Sequence, residues 1–226
     1  MTESPTPAEH WESQYAERAQ RWSGRVNATT ADVVRTLTPG DALELGCGEG
    51  GDAVWLAEQG WRVTAVDISA TAVARGAAGA ASRGIGDRIT WVSHDLSTWE
   101  PEGEFDLVTA SFFHSTVELA RTEILRRAAG WLRPGGHLLL VSHVFESVAD
   151  IPPWALRHHG TVDPDDPALQ AHMKALLTPS EEVTTLALDP THWVVVTQEI
   201  RTREATGPDG AETATVKDGV VLLRRR

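Results

Sequence analysis

Cysteine and long apolar runs are scarce in this chain of 226 residues. Cys47 is the single cysteine, so no disulfide can form within the chain, and an intracellular, cytoplasmic location is expected. No apolar run approaches the roughly 20 residues that a transmembrane helix needs. The N-terminus has neither a basic start nor an apolar centre, so no signal peptide is expected there.

Basic residues are also few, 20 against 32 acidic ones, which gives a formal net charge of −12. Binding to nucleic acid or to anionic membranes depends on a basic face, so neither is expected as a partner. The histidines do not indicate a metal. His158 and His159 are adjacent and lack a ligand spacing, and one cysteine provides no zinc framework, so no metal site is predicted.

The most informative stretch runs from Ala42 to Ser69. Two short aliphatic runs, Ala42–Leu45 and Val63–Val66, predict buried strands. A glycine cluster lies between them and leads into a helix-like segment that runs from Asp52 to Glu58. This is a βαβ unit of a parallel sheet, whose glycine turn lies at the carboxyl edge of the strands, where open α/β sheets bind ligands.

Charges around this turn decide between two classes of ligand. Glycines at positions 46, 48 and 51 fit the dinucleotide pattern G-x-G-x-x-G, so a nicotinamide-dependent oxidoreductase is an alternative. Glu44, Glu49 and Asp52 would oppose a pyrophosphate, which needs the positive end of the helix. S-adenosylmethionine (SAM) has no phosphate and carries a sulfonium and an ammonium, and Asp67 is placed to accept hydrogen bonds from its ribose.

Several motifs in order support the second class. LELGCGEGG and VTAVDIS resemble the first two motifs of the class I SAM-dependent methyltransferases. WVSHDL (Trp91–Leu96), FDLVTASFFH (Phe105–His114) and LRPGGHLLLV (Leu132–Val141) resemble the motifs of the next three strands. The phrase WSGRVN and a short C-terminal hairpin are most similar to small bacterial methyltransferases of the tellurite-resistance and thiopurine type.

The resemblance implies an α/β fold with a doubly wound, seven-stranded Rossmann-like sheet of order 3-2-1-4-5-7-6, strand 7 antiparallel. It implies one domain, residues 1–226, as a monomer or homodimer. The expected parts are an N-terminal helical lid (1–41), a SAM-binding core (42–145), a substrate-side insertion (146–190) and a C-terminal hairpin (191–226).

Local patterns predict where the other elements begin and end. Aromatic spacing predicts a helix over Ala8–Trp22, and apolar spacing predicts another over Glu118–Leu132, stopped by the Pro-Gly-Gly at 134–136. A helix is predicted to start near Thr30. Prolines between 145 and 190 indicate a loop and two short helices, the second capped by Thr178. Two final strands, Trp193–Arg203 and Thr213–Arg225, are joined by residues 207–210.

The resemblance also implies which residues hold the cofactor. Those that match the family motifs are Glu44, Gly46, Cys47, Gly48, Asp67, Ile68, Asp95 and Leu96. Asp95 is expected to meet the adenine amino group. Tyr15 and Trp22 are expected to cover the cofactor, or alternatively to pack on the sheet edge. Ser111 is expected to face the methionine part, or to cap the next turn.

Methyl transfer from a sulfonium is an in-line displacement with a neutral leaving group, so positioning matters more than a catalytic motif. A base is needed only when the acceptor is protonated. His114 is the candidate base, with a structural histidine as the alternative. His143 is expected across the pocket mouth, and Trp154 is expected either to cover the substrate or to anchor a loop.

The sequence therefore predicts a SAM-dependent methyltransferase. It moves a methyl group to an oxygen, nitrogen, sulfur or chalcogen atom of a small molecule and releases S-adenosylhomocysteine (SAH). A non-catalytic SAM-binding protein is a further alternative.

Overall fold

The computed structural model describes residues 5–159, 163, 165–207 and 210–226, apart from the side chains of residues 157–159 and 172. The side chains of the His158-His159 pair, and Pro208 and Asp209 of the predicted hairpin turn, lie outside the described residues. Within those ranges, no helix has both the length and the apolar character needed to cross a membrane.

Seven strands form one sheet in the order β3-β2-β1-β4-β5-β7-β6, which confirms the order that the resemblance implied. Neighbours among β1 to β5 pair in parallel, whereas β7 is antiparallel to both β5 and β6. The strands are β1 (Asp41–Leu45), β2 (Arg62–Asp67), β3 (Ile89–Ser93), β4 (Phe105–Ser111), β5 (Leu132–His143), β6 (Trp193–Thr206) and β7 (Thr213–Arg225).

Helices cover both faces of the sheet. They are α1 (Pro7–Ala16), α2 (Ala28–Val34), α3 (Gly51–Glu58), α4 (Ala70–Ser82), α5 (Arg121–Gly130), α6 (Pro153–His159), α7 (Pro167–Ala175) and α8 (Pro179–Leu186). Because side chains alternate along a strand, neighbouring residues of β1 enter different cores. Ala42 packs with α2, α3 and α4, whereas Leu43 and Leu45 pack with α5 and α8.

The first two helices differ from their predicted extents. A capping box between Thr6 and Glu9 starts α1, but the helix ends at Ala16 instead of Trp22. The Glu49 carboxylate accepts the backbone N–H groups of Arg21 and Trp22, the second at 2.9 Å, and these are groups that a continued helix would use internally. The second helix begins at Ala28, before Thr30, because the Asn27 side chain caps it.

The predicted helix over Glu118–Leu132 is too long at both ends. It begins at Arg121 and ends at Gly130, and Leu132 already belongs to β5. The Phe105 N–H donates to the Trp131 carbonyl at 2.9 Å, so the chain pairs with β4 from this point and can no longer continue the helix. The Pro-Gly-Gly segment is therefore an irregularity inside β5. Leu132 pairs with Phe105 and His137 with Leu107, with the glycines between them.

Between β5 and β6 the described residues form three α-helices instead of the predicted two, because α6 forms where prolines predicted a loop. Proline is favoured at the first helical position, where its missing N–H is not needed. The predicted capping box at the start of α8 is confirmed, with Thr178 and Glu181 bonded reciprocally. Strand β6 extends to Thr206, three residues past its predicted end.

Candidate active site

The carboxyl ends of β1, β2 and β4 meet at the glycine turn, where aromatic side chains pack closely against the glycines. Gly46 and Gly48 have φ angles of +66° and +53°, a region that favours glycine. A Cβ at Gly46 would lie 2.6 Å from the Phe113 ring, and one at Gly48 would lie 2.9 Å from the Tyr15 hydroxyl. Both positions therefore require glycine, for conformation and for space.

Asp67 ties this turn to the start of α4. Its Oδ2 accepts the Gly48 N–H at 2.8 Å and its Oδ1 accepts the Ser69 N–H at 2.9 Å. Burial raises the pKa of Asp67, and these backbone N–H groups oppose the shift. Each carboxylate oxygen has a second lone pair, which leaves capacity for ribose hydroxyls.

Glu44 is a buried carboxylate. Burial raises the pKa of Glu44 well above its ordinary value, and the nearby charges of Asp52 and Asp67 raise it further. Among the residues that the structure describes, its Oε2 atom is buried without a hydrogen-bond partner. A buried, unsatisfied acceptor of this kind is costly, and a cationic ligand would satisfy it.

Glu49 corrects part of the charge argument made from the sequence. It forms an ion pair with Arg75 at 3.0 Å in addition to the two backbone N–H groups it accepts. Its charge is therefore balanced, and it does not weigh against a pyrophosphate. Asp52 is buried and accepts the Asn27 N–H at 2.8 Å, and burial raises its pKa. The charge argument against a pyrophosphate ligand therefore rests on Glu44 and Asp52.

The N-terminal segment lies across the glycine turn. The Trp22 indole N–H donates to the Tyr15 hydroxyl at 2.9 Å, and the indole lies 3.3 Å from the position of a Cβ on Gly48. Glu12 of α1 accepts the Ser69 hydroxyl at 2.7 Å, which anchors the helix on α4. Tyr15 is buried, whereas Trp22 is 52% exposed. This placement is compatible with a lid.

The predicted adenine side lies at the end of β3. Asp95 is exposed and its Oδ1 accepts the Ser97 N–H at 2.8 Å, while Leu96 is buried and Ile68 is half-buried. Cys47 is buried in the glycine turn, and burial raises the pKa of its thiol, which disfavours the reactive thiolate.

The loop after β4 is held from several sides. Ser111 and Thr30 share a hydrogen bond of 2.8 Å, and Phe112 has a φ of +51°, a strained value for a residue other than glycine. Arg121 donates to the Phe113 carbonyl at 2.9 Å and to Glu182 at 2.7 Å. His114 lies half-buried in this loop, where its backbone N–H donates to the Phe112 carbonyl.

Aromatic rings form a stack that the sequence did not predict. The ring of His143 lies 4.2 Å from that of Phe112 and 5.7 Å from that of Phe145. His143 and Trp154 line one cavity of about 260 Å³, so the structure brings these two candidates together. His114 is not among the residues that line it, so His143 and His114 do not share this cavity.

No group of three or more histidine, cysteine, aspartate or glutamate side chains in the described ranges is arranged to hold a metal ion.

Residues 42–136 match a family model described as a methyltransferase domain. A probable thiol methyltransferase 2 from Arabidopsis thaliana is 32% identical over 148 residues, 64% of this chain and 66% of that protein. A ribosomal RNA small subunit methyltransferase C from Alcanivorax borkumensis is 38% identical over 111 residues, 46% and 33% of the two chains. A 2-heptyl-1-hydroxyquinolin-4(1H)-one methyltransferase from Mycobacteroides abscessus is 33% identical over 132 residues, 56% and 55% of the chains. The matches thus span between a third and two thirds of these relatives.

Solved structures share the fold. A structure titled "Conversion of a Disulfide Bond into a Thioacetal Group during Echinomycin Biosynthesis" has a TM-score of 0.71 at 22% identity, covering 96% of this chain and 92% of the other. The N-methyltransferase NodS from Bradyrhizobium japonicum, in complex with SAH, has a TM-score of 0.64 at 16% identity, covering 97% and 99%.

Proposed function

We propose that this chain is a class I S-adenosylmethionine-dependent methyltransferase and that it methylates an oxygen, nitrogen, sulfur or chalcogen atom of a small molecule. The match to a methyltransferase domain and the 32% identity to a thiol methyltransferase support this proposal. The observation that carries this proposal is the burial of the Glu44 carboxylate at the end of β1. Within the part of the chain that the structure describes, one oxygen of this buried carboxylate has no hydrogen-bond partner, which suits a cationic ligand without phosphate.

When bound, SAM would supply the methyl carbon: an acceptor lone pair would form the new bond to that carbon as the carbon–sulfur bond breaks, and the electron pair of that bond would stay on the sulfur of SAH. Glu44 would balance the positive charge of the ligand, and Asp67 would accept the ribose hydroxyls. The backbone of Gly46, Cys47 and Gly48 would lie against the ligand, next to the Tyr15 and Trp22 side chains that pack on Gly48.

The remaining cofactor residues act around these. Ile68, Asp95 and Leu96 would form the adenine side, and Ser111 would face the methionine part. Tyr15 and Trp22 would close over the ligand. The hydrogen bond between them and its position on Gly48 support that role.

His114 would take the proton of an acceptor that is protonated at the working pH. Its place in a loop that begins at the strained Phe112 and is tied down at Phe113 supports this role, because a base must be held in position.

A small acceptor fits the acidic balance of the chain better than a nucleic acid does. The names of two relatives, a thiol and a hydroxyquinolinone methyltransferase, support the same choice. The single cysteine supports a cytoplasmic location. We propose a monomer or homodimer without a membrane partner.

Calorimetric titration with SAM, SAH and NAD⁺ tests the proposal. We expect both adenosyl ligands to bind and NAD⁺ not to bind. Asp67→Ala should weaken the binding of SAM by about tenfold or more, since it removes the hydrogen bonds that Asp67 would accept from the ribose and the one that it accepts from the glycine turn. Asp32→Ala, on the exposed face of α2, is the matched control and should change nothing.

Binding of NAD⁺ alone would indicate the oxidoreductase instead. Binding of SAM without release of SAH in the presence of a range of thiol, amine and hydroxyl acceptors would indicate a non-catalytic SAM-binding protein.

A further inference from the structure

A cavity lies beyond the cofactor edge, between the end of β5, the start of α6 and the hairpin of β6 and β7. It has a volume of about 260 Å³, and its walls include His143, Phe145, Trp154, Arg203 and Val216. Pockets that hold drug-sized ligands measure roughly 300–1,000 Å³. The cavity therefore suits a smaller molecule, of one or two fused rings.

The walls of the cavity are mostly apolar and aromatic. Phe145 and Trp154 provide two large ring surfaces, and proline, alanine and valine side chains provide much of the rest. Flat faces of this kind favour flat ligands, because offset stacking of rings adds to the gain from apolar burial. A strongly hydrated or highly charged ligand would lose its water there without replacement.

Arg203 is the one charged side chain among the residues found to line the cavity, and its charge is already balanced. Its Nε donates to Asp218 at 2.6 Å and its Nη2 donates to the same carboxylate at 3.3 Å. Asp218 is fully buried. The guanidinium has further N–H donors, so it can bind a hydrogen-bond acceptor without requiring a negative charge. A neutral ligand with an oxygen acceptor fits these conditions.

Two paths of contact join the cavity to the cofactor edge. The ring stack runs from Phe112, which directly follows β4, through His143 to Phe145 in the cavity wall. Consecutive threonines of α2 make the second path. Thr30 bonds Ser111 at the end of β4, and Thr29 donates to Asp218 at 2.7 Å, which holds Arg203.

We propose that this cavity binds the ring body of the methyl acceptor, and that the acceptor is a small, flat, neutral ring compound that stacks on Phe145 and Trp154 with its reacting atom outside the cavity, on the side of Phe112 and His114. An oxygen of the ring compound accepts a hydrogen bond from Arg203. This inference rests on the proposed function, since it identifies the substrate class of that reaction.

Calorimetry on the full chain, saturated with SAH, tests the inference with three probes. In a mildly acidic buffer, where its hydroxyl is not ionised, umbelliferone is a flat, neutral bicyclic compound; cyclohexanol has a ring that is not flat, and thiocyanate has no ring. We expect saturable binding of umbelliferone alone. Trp154→Leu and Phe145→Leu should each weaken it by about tenfold, the effect of losing one stacked ring with its buried area.

Trp131→Leu is the matched control, because Trp131 precedes β5 at the end opposite His143. It should leave umbelliferone binding unchanged. Trp154→Phe keeps an aromatic ring and should retain most of the affinity, which separates loss of stacking from loss of the fold.

Each result has a distinct meaning. If SAH binds but umbelliferone does not, or if all variants bind umbelliferone equally, the cavity is not the acceptor site. Preferential binding of thiocyanate or cyclohexanol would also overturn the inference. If SAH fails to bind while umbelliferone and the variants behave as expected, the proposed function fails and the acceptor assignment fails with it, and only the binding of a flat ring compound in the cavity stands.

Discussion

At the scale of the residue, the cofactor edge consists of carboxylates that the fold has to bury. Glu44, Asp52 and Asp67 are all buried, and burial is the first cause of the raised pKa of each. A buried carboxylate prefers its neutral form and destabilises the folded state at a pH where it must ionise. Sites that bind cations therefore carry a cost in stability when the ligand is absent.

Glu44→Gln tests this conflict. The folded state raises the pKa of Glu44, so its contribution to stability is present at low pH and is lost as the pH rises through the folded-state pKa. We expect the variant to unfold at a Tm a few degrees higher than the wild type at pH 8, a change of about 1 kcal/mol, and to match it near pH 5. SAM affinity should fall by about tenfold.

Thermal unfolding across this pH range and calorimetry measure the two effects. Glu58→Gln, at a surface ion pair with Arg83, is the control and should change neither quantity. A Tm of Glu44→Gln below that of the wild type at pH 8 would contradict the assignment of an unsatisfied carboxylate.

Sequence reasoning located the buried acids but not their partners. Glu44 and Asp67 follow from motif positions at strand ends. The pairing of Glu49 with Arg75 does not, because the two residues lie 26 positions apart and no periodic pattern connects them. The His143 ring stack was missed for the same reason, since it depends on the backbone turn at Phe112.

At the scale of the element, α5 and α8 are joined to the loop that carries His114. Arg121 begins α5 and contacts both Glu182 of α8 and the Phe113 carbonyl. The side chains of the ion pair are only 13% and 3% exposed. Removing one partner of a buried pair leaves an uncompensated charge, which costs more than the pair contributes.

Glu182→Gln should therefore lower the free energy of unfolding by about 2–4 kcal/mol, measured by urea denaturation. Arg121→Lys keeps a positive charge but loses the planar fork that reaches two acceptors. It should lower kcat while leaving the Kd for SAM nearly unchanged, because the loop and not the glycine turn is released.

The control for both variants is Glu123→Gln, an exposed position on α5. Equal losses in kcat and SAM affinity for Arg121→Lys would show that the arginine acts on the whole fold and not on this loop.

Helix ends were the least predictable part of the elements. The spacing of apolar and aromatic residues identified α1 and α5, but hydrogen bonds with distant residues determine where these helices end. Glu49 accepts the backbone N–H of Trp22 after α1, and the Phe105 N–H donates to the Trp131 carbonyl after α5. Local signals sufficed where the cap is local, as in the Thr178 capping box of α8.

At the scale of the whole molecule, the strand order was predicted through the resemblance of the motifs to those of a known family, and the structure has that order. The contact of α2 with β7 could not be predicted, since Thr29 and Asp218 lie 189 positions apart. The acidic balance, in contrast, is a property of the sequence alone.

This balance predicts weak binding to RNA, although one relative is named as a ribosomal RNA methyltransferase. In filter binding with ribosomal RNA we expect no retention at a salt concentration of about 150 mM, and no steep gain at lower salt, because few phosphates would be neutralised. A basic RNA-binding protein is the positive control. Submicromolar binding with a strong salt dependence would contradict a small-molecule acceptor.

The contact between Tyr15 and Trp22 over Gly48 has a practical consequence for following the lid. The chain contains one tyrosine, and that residue accepts the indole N–H of Trp22. Biosynthetic replacement by fluorotyrosine would therefore place a single fluorine nucleus at this contact. Its one resonance would report directly, in solution and without any acceptor, whether the segment over the glycine turn is open or shut.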